Sequence, residues 1–178
     1  MMSQALSTTA GQLLKDSPSV VVRRVSPLGW SALPAEESIR LAKSVPGVLQ
    51  AGIRIWGTAN GPGGPVTVFG FDGSHRFSGL TKSVPLPKHG EAVLGAGITT
   101  GKDPDFLKLT GHNTLIFRIS DTLEAKTSMV AHDMVLVHPD DAGQLLGIAE
   151  GYASDLIVEV FHETEAEAIL PDLSRAFP

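Results

Sequence analysis

Glycine and proline interrupt this chain at short intervals, and that punctuation limits its fold more than any other feature. Among 178 residues there are 19 glycines and 12 prolines. Proline breaks helix interiors and removes a backbone donor, while glycine supplies turns. The pattern favours many strands and turns over a helical bundle. A chain of this length buries roughly 70% of its unfolded surface, so it holds a core without metal or disulfide. Cysteine is absent, which excludes disulfide frameworks, thiol catalysis and thiolate metal sites. A net charge of -5 without any basic run argues against nucleic-acid binding, because a phosphate backbone needs a Lys/Arg-lined face.

No apolar stretch reaches the roughly 18 residues of a membrane span. The start, Met1 to Leu6, has no basic residue before Lys15 and no apolar core, so it does not read as a secretion signal. The doubled Met fits either a start placed before an excised fragment or a native start.

Strand and helix signals alternate along the chain. Residues 1–17 read as a polar lead-in. Ser19–Val25 is rich in β-branched residues between Pro18 and Pro27 and predicts a strand. Pro34 opens a helix with Glu36 and Glu37 in its first turn; Ile39, Ala42 and Val45 form one face, and Pro46-Gly47 stops it. Val48–Trp56 and Val66–Phe71 predict a hairpin joined by a loose glycine turn at Asn60–Gly64. Phe69 and Phe71 are expected in the core. Glu91–Thr100 is ambiguous, and Asp105–Leu109 reads as a helical turn. Further strands are expected at Thr114–Ile119, within Ser128–Val137, and at Asp155–Phe161. Pro139 and Gly147 bound a short helix with a face at Ala142, Leu145 and Leu146. Thr164–Glu167 is a capping box for a last helix, where Pro171 predicts a kink or restart. This order resembles a split β-α-β arrangement, with an insertion from Asp72 to Thr127.

Most motifs carry no chemistry. Ala92–Gly97 has the look of a dinucleotide turn, but Thr100 stands where the third glycine belongs and Pro104 cuts short the helix. A tight turn is the simpler reading, and no cofactor is implied. Gly57–Gly64 is not a phosphate loop, since Pro65 replaces the lysine. No pair of the 6 histidines has helical metal-site spacing. His132 and His138, six apart, fall on one side of a predicted strand and could work with Asp133 or Asp140 as a metal or acid–base group. The plainer reading leaves His138 flanking the helix and His132 at a strand start. No serine sits in a hydrolase elbow. Phe77, in a glycine-flanked loop, is a candidate exposed partner contact, with His75 and Leu80 beside it.

Two stretches resemble a known family. Val45-Pro46-Gly47-Val48, Ile53-Arg54 and Val66–Asp72 form the first. Met134–Ala142, Gln144–Gly147 and Ala153–Val160, followed by the ending at Phe177-Pro178, form the second, and Glu91–Gly95 lies between them. In this order they are similar to the extracytoplasmic domain of MacB/FtsX/LolC-type ABC transporter permeases, over residues 19–178. Leu109–Leu115 lacks the aspartate usual in the family turn, and Glu124–Met129 is a polar substitute for a family strand.

The resemblance implies an α+β, split β-α-β porter-like domain from residues 18–71 and 128–178, with residues 72–127 as a smaller inserted subdomain. It implies no catalytic role, no metal and no cofactor. A separate cytoplasmic ATPase would drive the motion, and the domain would transmit it to an extracytoplasmic protein partner. The partners would be the permease's own transmembrane helices and that ATPase, with room for a homodimer in the full transporter. The location would be the outer face of the cytoplasmic membrane. Gly11–Leu14 and Phe177-Pro178 should then emerge on one face, with the insertion pointing away. Two other readings remain: a stand-alone small-ligand-binding protein, and a hydrolase using the His132/His138/Asp133 group.

Overall fold

The computed structural model describes residues 20–27, 29–71, 85–123, 132–161 and 166–177. Its first strands are β1 (Val20–Val22), β2 (Arg24–Ser26), β3 (Gly29–Ser31) and β4 (Leu33–Pro34), followed by helix α1 (Ala35–Lys43). The middle supplies β5 (Val48–Gly61), β6 (Gly64–Gly70), β7 (Glu91–Leu94), β8 (Phe106–Thr110) and β9 (Thr114–Thr122). Then come β10 (Met134–Val137), α2 (Pro139–Leu146), β11 (Tyr152–Ala153), β12 (Asp155–Val160) and α3 (Ala166–Ala176). The architecture is α+β. An 8-stranded mixed sheet runs β1-β12-β5-β6-β10-β7-β9-β8.

The 14-residue strand β5 organises the rest. At the strand rise of about 3.4 Å per residue it is roughly 45 Å long. Its first part pairs with β12 as far as Arg54, opposite Asp155. From Ile55 onward it pairs with β6 along its other edge. Near its end Asn60 meets Thr110 of β8. That contact closes β5, β6, β10, β7, β9 and β8 into a barrel.

Alternation fills the barrel. Val66 and Val68, Val135 and Val137, Ala92 and Leu94, Leu107 and Leu109, and Phe117 form one buried cluster. Ala142 and Leu145 of α2 belong to it as well. Two glycines let α2 sit this close. A Cβ on Gly70 would lie 2.9 Å from the Pro139 Cα, and one on Gly57 would lie 3.0 Å from a Leu146 methyl. A second cluster holds Leu156, Val158 and Val160 of β12 against Ala42, Ile169 and Leu173 from α1 and α3. Ala51 and Ile53 face this second cluster, and Ile55 and Ala59 face the barrel interior. These alternate residues share one side of β5, so α1 and α2 lie on one face.

Several expectations need correction. The expected turn at Asp105–Leu109 is replaced by strand β8 (Phe106–Thr110), with Leu107 and Leu109 buried and Phe106, Lys108 and Thr110 exposed. Its period of two outweighs the turn signals before it. The glycine turn is tighter than expected, for β5 runs on to Gly61 and only Pro62 and Gly63 stand between the strands. Helix α3 passes through Pro171 as one helix. Residues 91–122, expected in an inserted subdomain, supply β7, β8 and β9, which hydrogen-bond into the same sheet. The cause is β10, which pairs with β6 on one edge and β7 on the other. The expected boundaries at 72 and 127 lie outside the described residues, as do Gly11–Leu14 and Thr164. Val20–Arg23 and Phe177 line one groove, while β8 meets the opposite end of β5.

Candidate functional site

Where β5 changes partners, a charged and aromatic cluster forms on the face away from the helices. Asp155 opens β12 and is fully buried. Register places it opposite Arg54. The Arg54 Nε donates to Asp155 Oδ1 at 2.7 Å, and a terminal guanidinium nitrogen donates to Oδ2 at 2.6 Å. This is the bidentate geometry that makes arginine–carboxylate pairs strong. Two residues further along β5, the Trp56 indole Nε1 donates to Oδ2 at 2.9 Å. Arg23 Nε donates to the same oxygen at 3.3 Å. Burial pushes the Asp155 carboxyl up, but the Arg54 and Trp56 hydrogen bonds and the Arg54 charge outweigh it and hold it below its ordinary value.

Ser154 completes the seam. Its hydroxyl accepts the Trp56 backbone N–H at 2.9 Å and donates to the Trp56 carbonyl at 2.7 Å. One side chain thus takes both backbone groups of Trp56 just before β12 begins, as a further strand residue would.

Beside the seam, the Arg23 guanidinium lies 5.0 Å from the Trp30 ring and 5.0 Å from the Trp56 ring. Both distances fall within cation–π range. Trp30 belongs to the β2–β3 hairpin and pairs across it with Val25. These two apolar side chains are 71% and 69% exposed. Below them runs a groove of about 340 Å³ lined by Arg23, Trp30, Ser31, Trp56, Thr58, Ile148 and Ser154. Flat apolar walls, hydroxyls and one cation suit the groove to binding. Among the described residues, no nucleophile–base pair lines it.

The residues singled out in the sequence fall elsewhere. His75, Phe77 and Leu80 lie outside the described residues. Phe69 and Phe71 are buried, as expected. His132 and His138 stand at opposite ends of β10, roughly 20 Å of extended chain apart. His138 instead meets His89 and Asp140. The Ala92–Gly97 turn binds its own sheet: the Gly95 and Gly97 amides donate to the Met134 and His132 carbonyls. Sequence reasoning missed the Arg23–Arg54–Asp155 cluster and both tryptophans. The one available signal was Arg54 and Asp155 falling in two motifs of the same family resemblance.

No protein-family model and no curated protein matches the chain. Among solved structures, the extracellular domain of the noncanonic ABC-type transporter YknZ from Gram-positive bacteria superposes with a TM-score of 0.53. The match covers 87% of this chain and 89% of that one, at 14% identity. The chain has the fold of an ABC-transporter extracellular domain. At that identity the likeness is one of fold. No helix among the described residues is long and apolar enough to cross a membrane.

Proposed function

We propose that this chain is a non-catalytic extracytoplasmic domain of a MacB/FtsX/LolC-type ABC transporter permease, which contacts a partner protein and transmits conformational change driven by a separate ATPase. The observation that carries this reading is the fold likeness to the YknZ extracellular domain over 87% of one chain and 89% of the other. The arrangement around β5 supports it. Val20–Arg23 and Phe177 lie together at the helical layer, and the barrel occupies the other end of the strand. A continuous strand joining the two is a stiff link for carrying motion. The exposed Val25/Trp30 hairpin supplies an apolar contact surface of the kind partner proteins use.

The absence of cysteine makes the test direct. A single Ile116→Cys variant, expressed in the natural reading frame with any cysteine outside these 178 residues changed to serine, puts one thiol on an exposed barrel position. A membrane-impermeant maleimide should label it on intact cells. Labelling only after lysis would overturn the extracytoplasmic reading.

The groove favours a second reading, a small-ligand-binding protein, because about 340 Å³ falls at the lower end of the range for ligand pockets. The chain's 2 tryptophans both line it. Saturable change in intrinsic fluorescence with a small solute would favour this reading over the first.

A further inference from the structure

We propose that His89, His138 and Asp140 form a binding site for a divalent transition-metal ion of the Zn²⁺ class. The three residues come from separate parts of the chain. His89 precedes β7, His138 caps the N-terminus of α2, and Asp140 lies in the first turn of that helix. Their ligand atoms all fall within 4.8 Å of one another. Asp140 Oδ2 is 3.7 Å from His89 Nε2 and 3.6 Å from His138 Nδ1. In tetrahedral zinc, with ligand bonds of about 2.1 Å, neighbouring ligand atoms are about 3.4 Å apart. The edges measured here are within a few tenths of an ångström of that value.

Asp141 orients the imidazole of His89. Its Nδ1 lies 3.2 Å from Asp141 Oδ1, and since a carboxylate only accepts, Nδ1 carries the proton. In the neutral ring Nε2 is then the atom left free to ligate, 3.7 Å from Asp140 Oδ2. Asp141 is itself held, because the Gly90 amide donates to its Oδ2 at 2.8 Å. A carboxylate that orients a ligating histidine through its other nitrogen is the usual outer support of a metal site. His138 Nδ1 accepts the Asp140 amide at 3.3 Å, so its lone pair is held by the helix N-terminus. That amide contact is long, and a metal ion would replace it.

Charge permits a cation here. A helix N-terminus carries about +0.5 charge. Asp140 and Asp141 set two carboxylates against it. Side chains of His89 and Asp140 are 64% and 76% exposed, which leaves the outer coordination positions open to water or to a partner's side chain. The ligands suit Zn²⁺, Co²⁺, Ni²⁺ or Cu²⁺ better than Ca²⁺ or Mg²⁺, which take oxygen donors.

Calorimetric titration of the full chain with zinc chloride alone tests the site. One ion per chain should bind saturably with micromolar affinity or better. His89→Ala and His138→Ala should each weaken binding more than tenfold, and Asp141→Asn by about tenfold through its outer support. His132→Ala should leave binding unchanged. Cobalt absorption in the visible range should report four-coordinate geometry and vanish in His89→Ala. Far-ultraviolet circular dichroism on each variant separates loss of a ligand from loss of fold, and Asp140→Asn at the exposed surface gives a second variant expected to fold normally. Absence of saturable binding, or binding that survives in the His89→Ala/His138→Ala double variant, would overturn the proposal.

Discussion

Residues 48–54 of β5 and residues 55–61 of the same strand sit in different surroundings. The first stretch pairs with β12, and its outer face carries Arg54 against the buried Asp155. The second stretch pairs with β6 and helps enclose an apolar interior. A barrel that closes on itself satisfies its strand edges by backbone hydrogen bonds and needs no charges to do so. The helical layer does not close. It ends in a seam at Ser154 and Trp56, where side chains supply what a neighbouring strand would have supplied. The difference places the polar and aromatic chemistry at the junction between layer and barrel, where Trp56 packs against a third buried cluster that includes Phe69, Phe71 and Leu136.

The largest expected effect breaks the seam. Asp155→Ala would leave Arg54 largely buried without its carboxylate, at a cost of about 3–5 kcal/mol in urea unfolding. Leu107→Ala in the barrel should cost about 3 kcal/mol by leaving a cavity. A double-mutant cycle distinguishes the two regions. Asp155→Ala should couple strongly to Arg54→Ala, whereas Leu107→Ala should add to either without coupling. Strong coupling between Leu107 and Arg54 would mean that layer and barrel do not behave as separate cores.

Acid should also discriminate, by a smaller amount. Asp155 is held below its ordinary value in the folded protein. Its contribution is therefore complete above the unfolded carboxylate value of about 3.9 and is lost as pH falls through the lower folded value. Glu91 in the barrel acts with the same sign, drawn down chiefly by the Arg118 hydrogen bond and then by the Lys88 amide. It lies at the surface, so solvent screens its effect. Stability measured from pH 7 down to pH 3 should fall less steeply in Asp155→Asn than in the parent, and should change little in slope for Glu91→Gln. An equal flattening in both variants would contradict a seam-centred acid response.

Local signals made parts of this fold readable in the sequence. Pro139 and Gly147 marked both ends of α2 because proline fits a first helical turn and Gly147 takes a left-handed φ of 74°. The β-branched run of β1 and the apolar alternation of β5 were equally plain. Strand β8 was hidden because its Leu107/Leu109 alternation is short and follows Pro104 and Asp105. The inclusion of β7 in the main sheet depends on β10, a strand far along the chain, so no local pattern could reveal it. The candidate site was hidden for the same reason. Arg54 and Asp155 are 101 residues apart, and only register makes them partners. His138 was visible as a candidate ligand, but a six-residue spacing suggested His132, whereas the fold delivers His89.

The smallest expected effect isolates the aromatic side of the seam from its ionic side. Arg23 is 33% exposed and contacts Asp155 at the long distance of 3.3 Å, while Arg54 makes the two short bonds. Removing Arg23 leaves Asp155 paired, so Arg23→Ala should cost only about 1 kcal/mol, mainly the lost contact with the two indoles. Because both tryptophans of the chain flank that guanidinium, their emission should change measurably even though stability barely does. Arg23→Lys should restore the charge without the planar stack and recover only part of the spectrum. A stability loss as large as that of Asp155→Ala would make Arg23 the principal partner of the carboxylate and reverse the roles assigned to the two arginines.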